Sequence, residues 1–321
     1  MPTPQEREME LDIGYDDFAE QPFYRRVNAS LLRLAPRVNR VVDLATGTGA
    51  MAKILFELDR IIPGEESSVY GFDIDPSGFA VAEKKIAVVN KIGAQTYFLK
   101  GSFNNIGLPN KSQKLALLGN GPHLSDDLLR TNSELERVLV DEGLEIKPDD
   151  ILYIRAYLDK FFKPGEEQIP FSDFQLDKSF YGLEGGVALS NTAYAKGLSY
   201  PEGTAVIWRD ITIEGRQILR KKLGITRFEH PTDRFRYPEE EYIDMAKKAG
   251  FPFVQTFDCT VEMDLVAMQA ICKYKEFAAG AIPGVPVEAA AQALFDSVPV
   301  VFDKYGIKSV PRTWMSMVLR K

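Results

Sequence analysis

The sequence predicts an α/β fold: a doubly wound, mostly parallel sheet of seven strands with helices on both faces, interrupted by an inserted cap or lid. Three observations predict it. Short apolar runs alternate with helix-patterned stretches from Arg40 to Leu158. A Gly-Thr-Gly turn joins the first of these runs directly to a helix. After a break, the alternation resumes near Pro238 and ends on an apolar strand.

The elements follow in order. Phe18, Phe23, Val27, Leu31, Leu32 and Leu34 have helical spacing, which predicts a helix over Asp17–Leu34 that Pro36 ends. Arg40–Leu44 (RVVDL) is the first strand and Ala50–Asp59 its helix. After the Pro63-Gly64 turn come a strand at Val69–Ile74 and a helix at Gly78–Asn90, then strands at Gln95–Leu99 and Lys114–Leu118. Leu128–Val140 reads as a helix, and Ile151–Leu158, after the turn KPDD, as strand five. From Asp159 to Tyr237 the alternation breaks, and Thr204–Ile213 (TAVIWRDITI) reads as a strand turning at Glu214-Gly215. Order returns with a helix at Pro238–Ala249, announced by Pro and three glutamates and capped by Gly250. Phe253–Phe257 is strand six, Glu262–Ala279 and Val287–Tyr305 are helices, and Trp314–Arg320 is the final strand. The expected domains are a discontinuous core of residues 1–158 and 237–321 and an insertion of 159–236.

Composition narrows the function. With 45% hydrophobic residues the chain can bury a core, and a net charge of −7 argues against a nucleic-acid partner. The basic run Arg216–Lys222 alternates with apolar residues and reads as a solvated face. Cys259 and Cys272 are too few for a disulfide framework or a metal site, so buried thiols are expected and no metal. The N-terminus is polar and acidic, unlike a signal peptide, and no apolar run reaches the ~18 residues of a transmembrane helix. A soluble, cytoplasmic protein with no membrane partner is expected.

The chemistry concentrates at VVDLATGTGAMA, residues 41–52. Gly47 and Gly49 allow a tight turn against which a ligand can lie, and the new helix offers it free N–H groups. Gly47, Gly49 and Ala52 also fit the dinucleotide pattern G-x-G-x-x-A, so an NAD-dependent oxidoreductase has to be weighed. Asp43 argues against it: a carboxylate there would repel a pyrophosphate, yet attract a ligand carrying an ammonium and a sulfonium. Asp73, ending the second strand, suits the ribose diol of either cofactor.

Together these motifs resemble the class I S-adenosylmethionine (SAM)-dependent methyltransferases. Their first motif looks like Asp43-Leu44-Ala45-Thr46-Gly47-Thr48-Gly49, with Ala45 in place of the first glycine. VYGFDIDP looks like the second, and the resemblance implies that Asp73 holds the ribose and Ile74 packs on the adenine. The family usually has a Gly-Asp pair after strand three; here Gly101-Ser102-Phe103 stands in its place, and Ser102 and Phe103 are expected to serve instead. LLGNGPHLSDD looks like the fourth motif, which adds Gly119 and Asn120 to a cofactor set of Asp43, Ala45, Thr46, Gly47, Gly49, Asp73, Ile74, Ser102 and Phe103. IKPDDILYI, EYIDMAKKAGFPFV and WMSMVLRK resemble the later strands, the last of them antiparallel. LLGN, SDD and KPDD also resemble histidine Nα-methyltransferases, although the first motif departs from theirs.

The resemblance implies methyl transfer from SAM, giving S-adenosylhomocysteine (SAH), to an oxygen, nitrogen or carbon of a small-molecule acceptor in specialised metabolism. The segment after strand four lies beyond the strands' carboxyl ends, so His123 is the candidate general base or orienting group, against a structural loop histidine. Ser125 or Asp126 is expected to cap the next helix, and His230 to be a solvated loop residue. Tyr15, Phe18 and Tyr24 before the core, and Tyr157 and Asp159 leaving strand five, are substrate-contact candidates; core packing is the plainer reading of the first three. The aromatic-rich insertion is expected to be a lid or a homodimer interface. A catalytically silent SAM-binding protein is the non-enzymatic alternative.

Overall fold

The computed structural model describes residues 14–147, 176, 178–229 and 237–321. Its sheet has seven strands in the order β3-β2-β1-β4-β5-β7-β6. These are β1 (Arg40–Leu44), β2 (Ser68–Asp73), β3 (Gln95–Lys100), β4 (Leu115–Leu118), β5 (Val187–Thr192), β6 (Phe253–Asp264) and β7 (Ser309–Arg320). β1 to β5 pair in parallel, and β7 runs antiparallel to β5 with Val187 opposite Arg320. The order reverses at β1, which lies between β2 and β4; such a reversal opens a crevice beyond the strands' carboxyl ends. β1 and β4 are near-continuous apolar runs because both faces of the sheet are covered.

By its contacts the chain divides into two compact units. The larger comprises Pro22–Ser199, Arg234–Val261 and Thr313–Lys321. Here α2 (Pro22–Leu32) packs on α3 (Ala50–Glu57), which packs on α4 (Phe79–Val89). Leu31, Leu34, Ile54, Leu55, Val41 and Leu117 share one buried cluster. The opposite face of the sheet buries Leu44, Leu118, Tyr242 and Phe251 with Leu128 and Leu135 of α5 (Leu128–Val138). The smaller unit comprises Met1–Gln21, Tyr200–Asp233 and Glu262–Arg312. Its helices Ala205–Leu223 and Leu265–Lys273 both pack on Val287–Tyr305.

Several expectations need correction. The strand beside β4 is Val187–Thr192; Ile151–Leu158 lies outside the described residues. Apolar content made the earlier run the better strand by pattern, but pairing with β4 is a long-range choice that periodicity does not encode. Thr204–Ile213 is not a strand. Ile207, Trp208, Ile211, Gly215 and Leu219 form the buried stripe of helix Ala205–Leu223, a helical period that its β-branched residues disguise. Gly215, read as a turn, sits mid-helix where a Cβ would lie 3.2 Å from Ile282 and 3.3 Å from Leu294, so its absence lets the helices approach. Of the segment 159–236, the described residues supply β5 to the sheet and a helix that packs on Val287–Tyr305.

The expected N-terminal helix is two, α1 (Asp16–Ala19) and α2, broken before Pro22, whose fixed φ suits a helix's first position. Glu262–Ala279 is likewise two helices, Leu265–Lys273 and Lys275–Ala281. In the smaller unit Asp210 accepts from Lys304 Nζ and Tyr305 Oη, both at 2.7 Å, and the paired lysine holds its carboxyl down at about 2. Both cysteines are free; burial raises both thiols, which suits inert packing.

Candidate active site

The site is built on the turn after β1. Ala45, Gly47 and Gly49 all have positive φ (52°, 51° and 76°), so the chain coils left-handed before α3 starts. Only glycine takes this conformation without strain, and Ala45 pays about 1–2 kcal/mol for it. Ala45→Gly should therefore stabilise the fold by roughly 1 kcal/mol after glycine's extra unfolded-state entropy is subtracted, read as a higher melting temperature. A lower melting temperature would mean that packing of the methyl group outweighs the strain.

Asp43 lies in β1 opposite Gly71 and Leu117 and is 1% exposed. Its Oδ2 accepts from the Thr46 hydroxyl at 2.8 Å. Burial pushes its carboxyl up to about 7; the Thr46 hydroxyl and the Ala52 backbone N–H oppose the rise, and the charge of Asp73 adds to it. Asp43 Oδ1 and Thr48 Oγ1 are buried with no hydrogen-bond partner. Two orphaned polar atoms at one turn are costly unless a ligand satisfies them.

Asp73, at the end of β2, accepts from Gly47 N at 2.9 Å through Oδ2 and from Asp75 N at 3.0 Å through Oδ1. These bonds fix the carboxylate against the turn and leave each oxygen a further lone pair. Beside it the Ile74 side chain is 72% exposed, an apolar surface open to a flat ligand. Ser102 Oγ accepts from Asn104 N at 3.1 Å, so this hydroxyl closes its own turn, while Phe103 packs on the cluster of Phe72 and Ile106. Arg137 of α5 clamps that loop by donating to Ile106 O at 2.7 Å and Leu108 O at 2.9 Å.

After β4 the backbone of Asn120 is again left-handed, with φ 48°. His123 follows in a single turn, Pro122–Leu124, and is 2% exposed. Its Nδ1 lies 3.3 Å from Thr192 Oγ1 and its ring 4.2 Å from the Tyr194 ring. The residue that caps α5 is Asp127, which accepts from Arg130 N at 3.0 Å, not Ser125 or Asp126.

The larger unit thus holds Asp43 and Asp73 near the ends of β1 and β2, and Ala45, Thr46, Gly47, Gly49, Ile74, Ser102, Phe103, Gly119, Asn120 and His123 on the turns that follow β1 to β4. Tyr24 is also there, buried in α2 against Trp314. Tyr15 and Phe18 belong to the smaller unit, where both pack on Tyr274. Tyr157, Asp159 and His230 lie outside the described residues. Sequence reasoning missed Asn28, Asn191, Thr192, Tyr194 and Trp314. The polar end of an otherwise apolar run, VALSNT, was the available signal for two of them, Asn191 and Thr192.

Residues 42–146 match the family model described as a methyltransferase domain. No curated protein sequence matches the chain. Among solved structures it is similar to a methyltransferase candidate of Bacillus halodurans C-125, at 15% identity and a TM-score of 0.46 over 92% of this chain and 98% of that one. A sarcosine dimethylglycine methyltransferase candidate of Galdieria sulphuraria gives 14%, 0.45, 94% and 84%. Phosphoethanolamine N-methyltransferase 2 of Haemonchus contortus, solved with SAM, gives 13%, 0.47, 92% and 52%.

Proposed function

We propose, for a chain whose residues 42–146 form a methyltransferase domain of the SAM-dependent class, that it methylates an oxygen, nitrogen or carbon of a small-molecule acceptor in specialised metabolism. The observation that carries the reading is the pair of carboxylates set by one left-handed turn: Asp43, buried with an orphaned oxygen, and Asp73, fixed by Gly47 N.

The residues fit SAM by their chemistry. Asp43 Oδ1 would accept from the ammonium of the methionine part, and burial makes that cation its natural partner. Asp73 would take the ribose diol with its remaining lone pairs, Ile74 would lie against the adenine, and Ser102 and Phe103 would border its edge. Gly119 and Asn120 would face the methionine end. When bound, SAM supplies an electrophilic methyl on a sulfonium, so the leaving group needs no protonation. The protein has to align the acceptor, exclude water and, for a protonated nucleophile, remove one proton. His123 is the residue proposed to hold or take that proton. Tyr24 is a wall of the site by this reading rather than a polar contact; Tyr15, Phe18, Tyr157 and Asp159 stay proposed substrate contacts.

Titration calorimetry tests the cofactor half. Asp73→Ala should cost ~2–3 kcal/mol in SAM affinity, the range of charge-assisted hydrogen bonds, while NAD gives no heat with either protein. Heat from NAD and none from SAM would overturn the reading.

A further inference from the structure

We propose that Asn191 is a positioning residue for the turn after β4 and that Asn28 is its anchor; this rests on the reading of Gly119 and Asn120 as facing the cofactor. The Asn120 N–H donates to Asn191 Oδ1 at 2.7 Å. Asn191 Nδ2 donates in turn to Asn28 Oδ1 at 3.1 Å, and both asparagines are fully buried. The Asn120 side chain is fixed separately: its Oδ1 accepts from the Trp314 indole at 3.3 Å and from Ala193 N at 3.4 Å. Three amides thus link α2, the end of β5 and the turn, with β7 closing the set through Trp314. The register explains the reach: Leu118 and Ser190 are the last pair between β4 and β5, so the chain after β4 turns away beside Asn191, which stays paired with Ser316 of β7.

Why amides are needed follows from the backbone. Asparagine takes the left-handed conformation more readily than other non-glycine residues, and at Asn120 the surrounding hydrogen bonds fix it there. Asn191 holds it by accepting from the peptide N–H while donating to Asn28, which no apolar side chain of that size can do. Burying amides in an apolar layer is expensive unless they are bonded, so this relay has a use beyond packing. Asn28 Nδ2 is buried without a partner. The relay therefore has a spare donor, and that donor predicts which substitution is tolerated.

The test uses SAH as probe on the full chain. Asn191→Asp keeps the acceptor for Asn120 N–H, and the Asn28 amide can rotate to aim its spare Nδ2 at the new carboxylate. Its SAH affinity should stay within about threefold of wild type, whereas Asn191→Leu should lose at least roughly tenfold, one unsatisfied hydrogen bond's worth. A second readout is the Trp314 indole N–H resonance, assigned with Trp208→Phe. SAH should shift it in wild type and in Asn191→Asp but not in Asn191→Leu. Wild-type affinity together with a wild-type SAH-induced shift of the Trp314 resonance in a folded Asn191→Leu would overturn the proposal. So would equal losses of affinity and melting temperature in both variants, which a purely structural asparagine would give. If wild type itself fails to bind SAH, the cofactor reading falls and the relay with it; if only the variants disagree, the relay alone falls.

Discussion

If Asp43 holds the ligand's ammonium as proposed, the affinity for SAM should fall about fifty-fold between pH 7 and pH 5, because that carboxyl must then be ionised and burial pushes it up to about 7. The arithmetic is that of a single site: half the molecules carry the charge at pH 7 and about one in a hundred at pH 5. The ligand's ammonium stays protonated over that range, so the change belongs to the protein. Binding at pH 6 should then release about 0.9 proton, read as calorimetric heats that scale with the ionisation heat of the buffer. Asp43→Asn should bind weakly at every pH and release nothing. An affinity that is flat from pH 5 to 7 in wild type would mean that the ammonium rests elsewhere.

The same group gives a stability signature in the ligand-free protein. Its folded-state value is raised above the unfolded one of 3.8, so the folded state holds the extra proton. The stabilisation is present in full below about 4 and is lost as pH rises through about 7, on the order of 4 kcal/mol in all. Asp43→Asn should flatten that part of the stability profile, as denaturant titrations at pH 5 and pH 8 would show.

The second large effect concerns His123. His123→Ala should lower turnover of an acceptor found by screening by ~10²–10⁴-fold, the usual contribution of a general base, with SAM affinity nearly unchanged. The setting permits such a role: the ring is buried, tilted against the Tyr194 ring and oriented through Nδ1 by Thr192. His123→Asn separates the roles, because an amide can orient an acceptor but cannot take its proton. If asparagine restores most of the activity, alignment alone suffices. Full turnover in both variants, with the melting temperature preserved, would make His123 a packing residue of the loop.

By itself the sequence determined the strand-turn-helix half of the fold. The strand-turn-helix at Val41–Ala52, the acid ending each of the first two strands and the helix after each are local patterns, written within a few residues by glycine's freedom and by apolar period. They appear in the structure within a residue or two of where they were expected, at β1, α3, β2, α4, β3 and β4. Only the tertiary structure decided which strand lies beside β4. VALSNT took that place with its first three residues paired to Arg320, Leu319 and Val318 of β7, about 130 residues away, and no local pattern records such a partner. The same holds for helix Ala205–Leu223, whose β-branched residues read as a strand until Val287–Tyr305 gave its apolar stripe a surface to cover. The amide relay of Asn28, Asn191 and Asn120 is the clearest case. Each asparagine looks like a turn or surface residue in isolation, and their hydrogen bonds exist because distant elements bring them together where no water can compete.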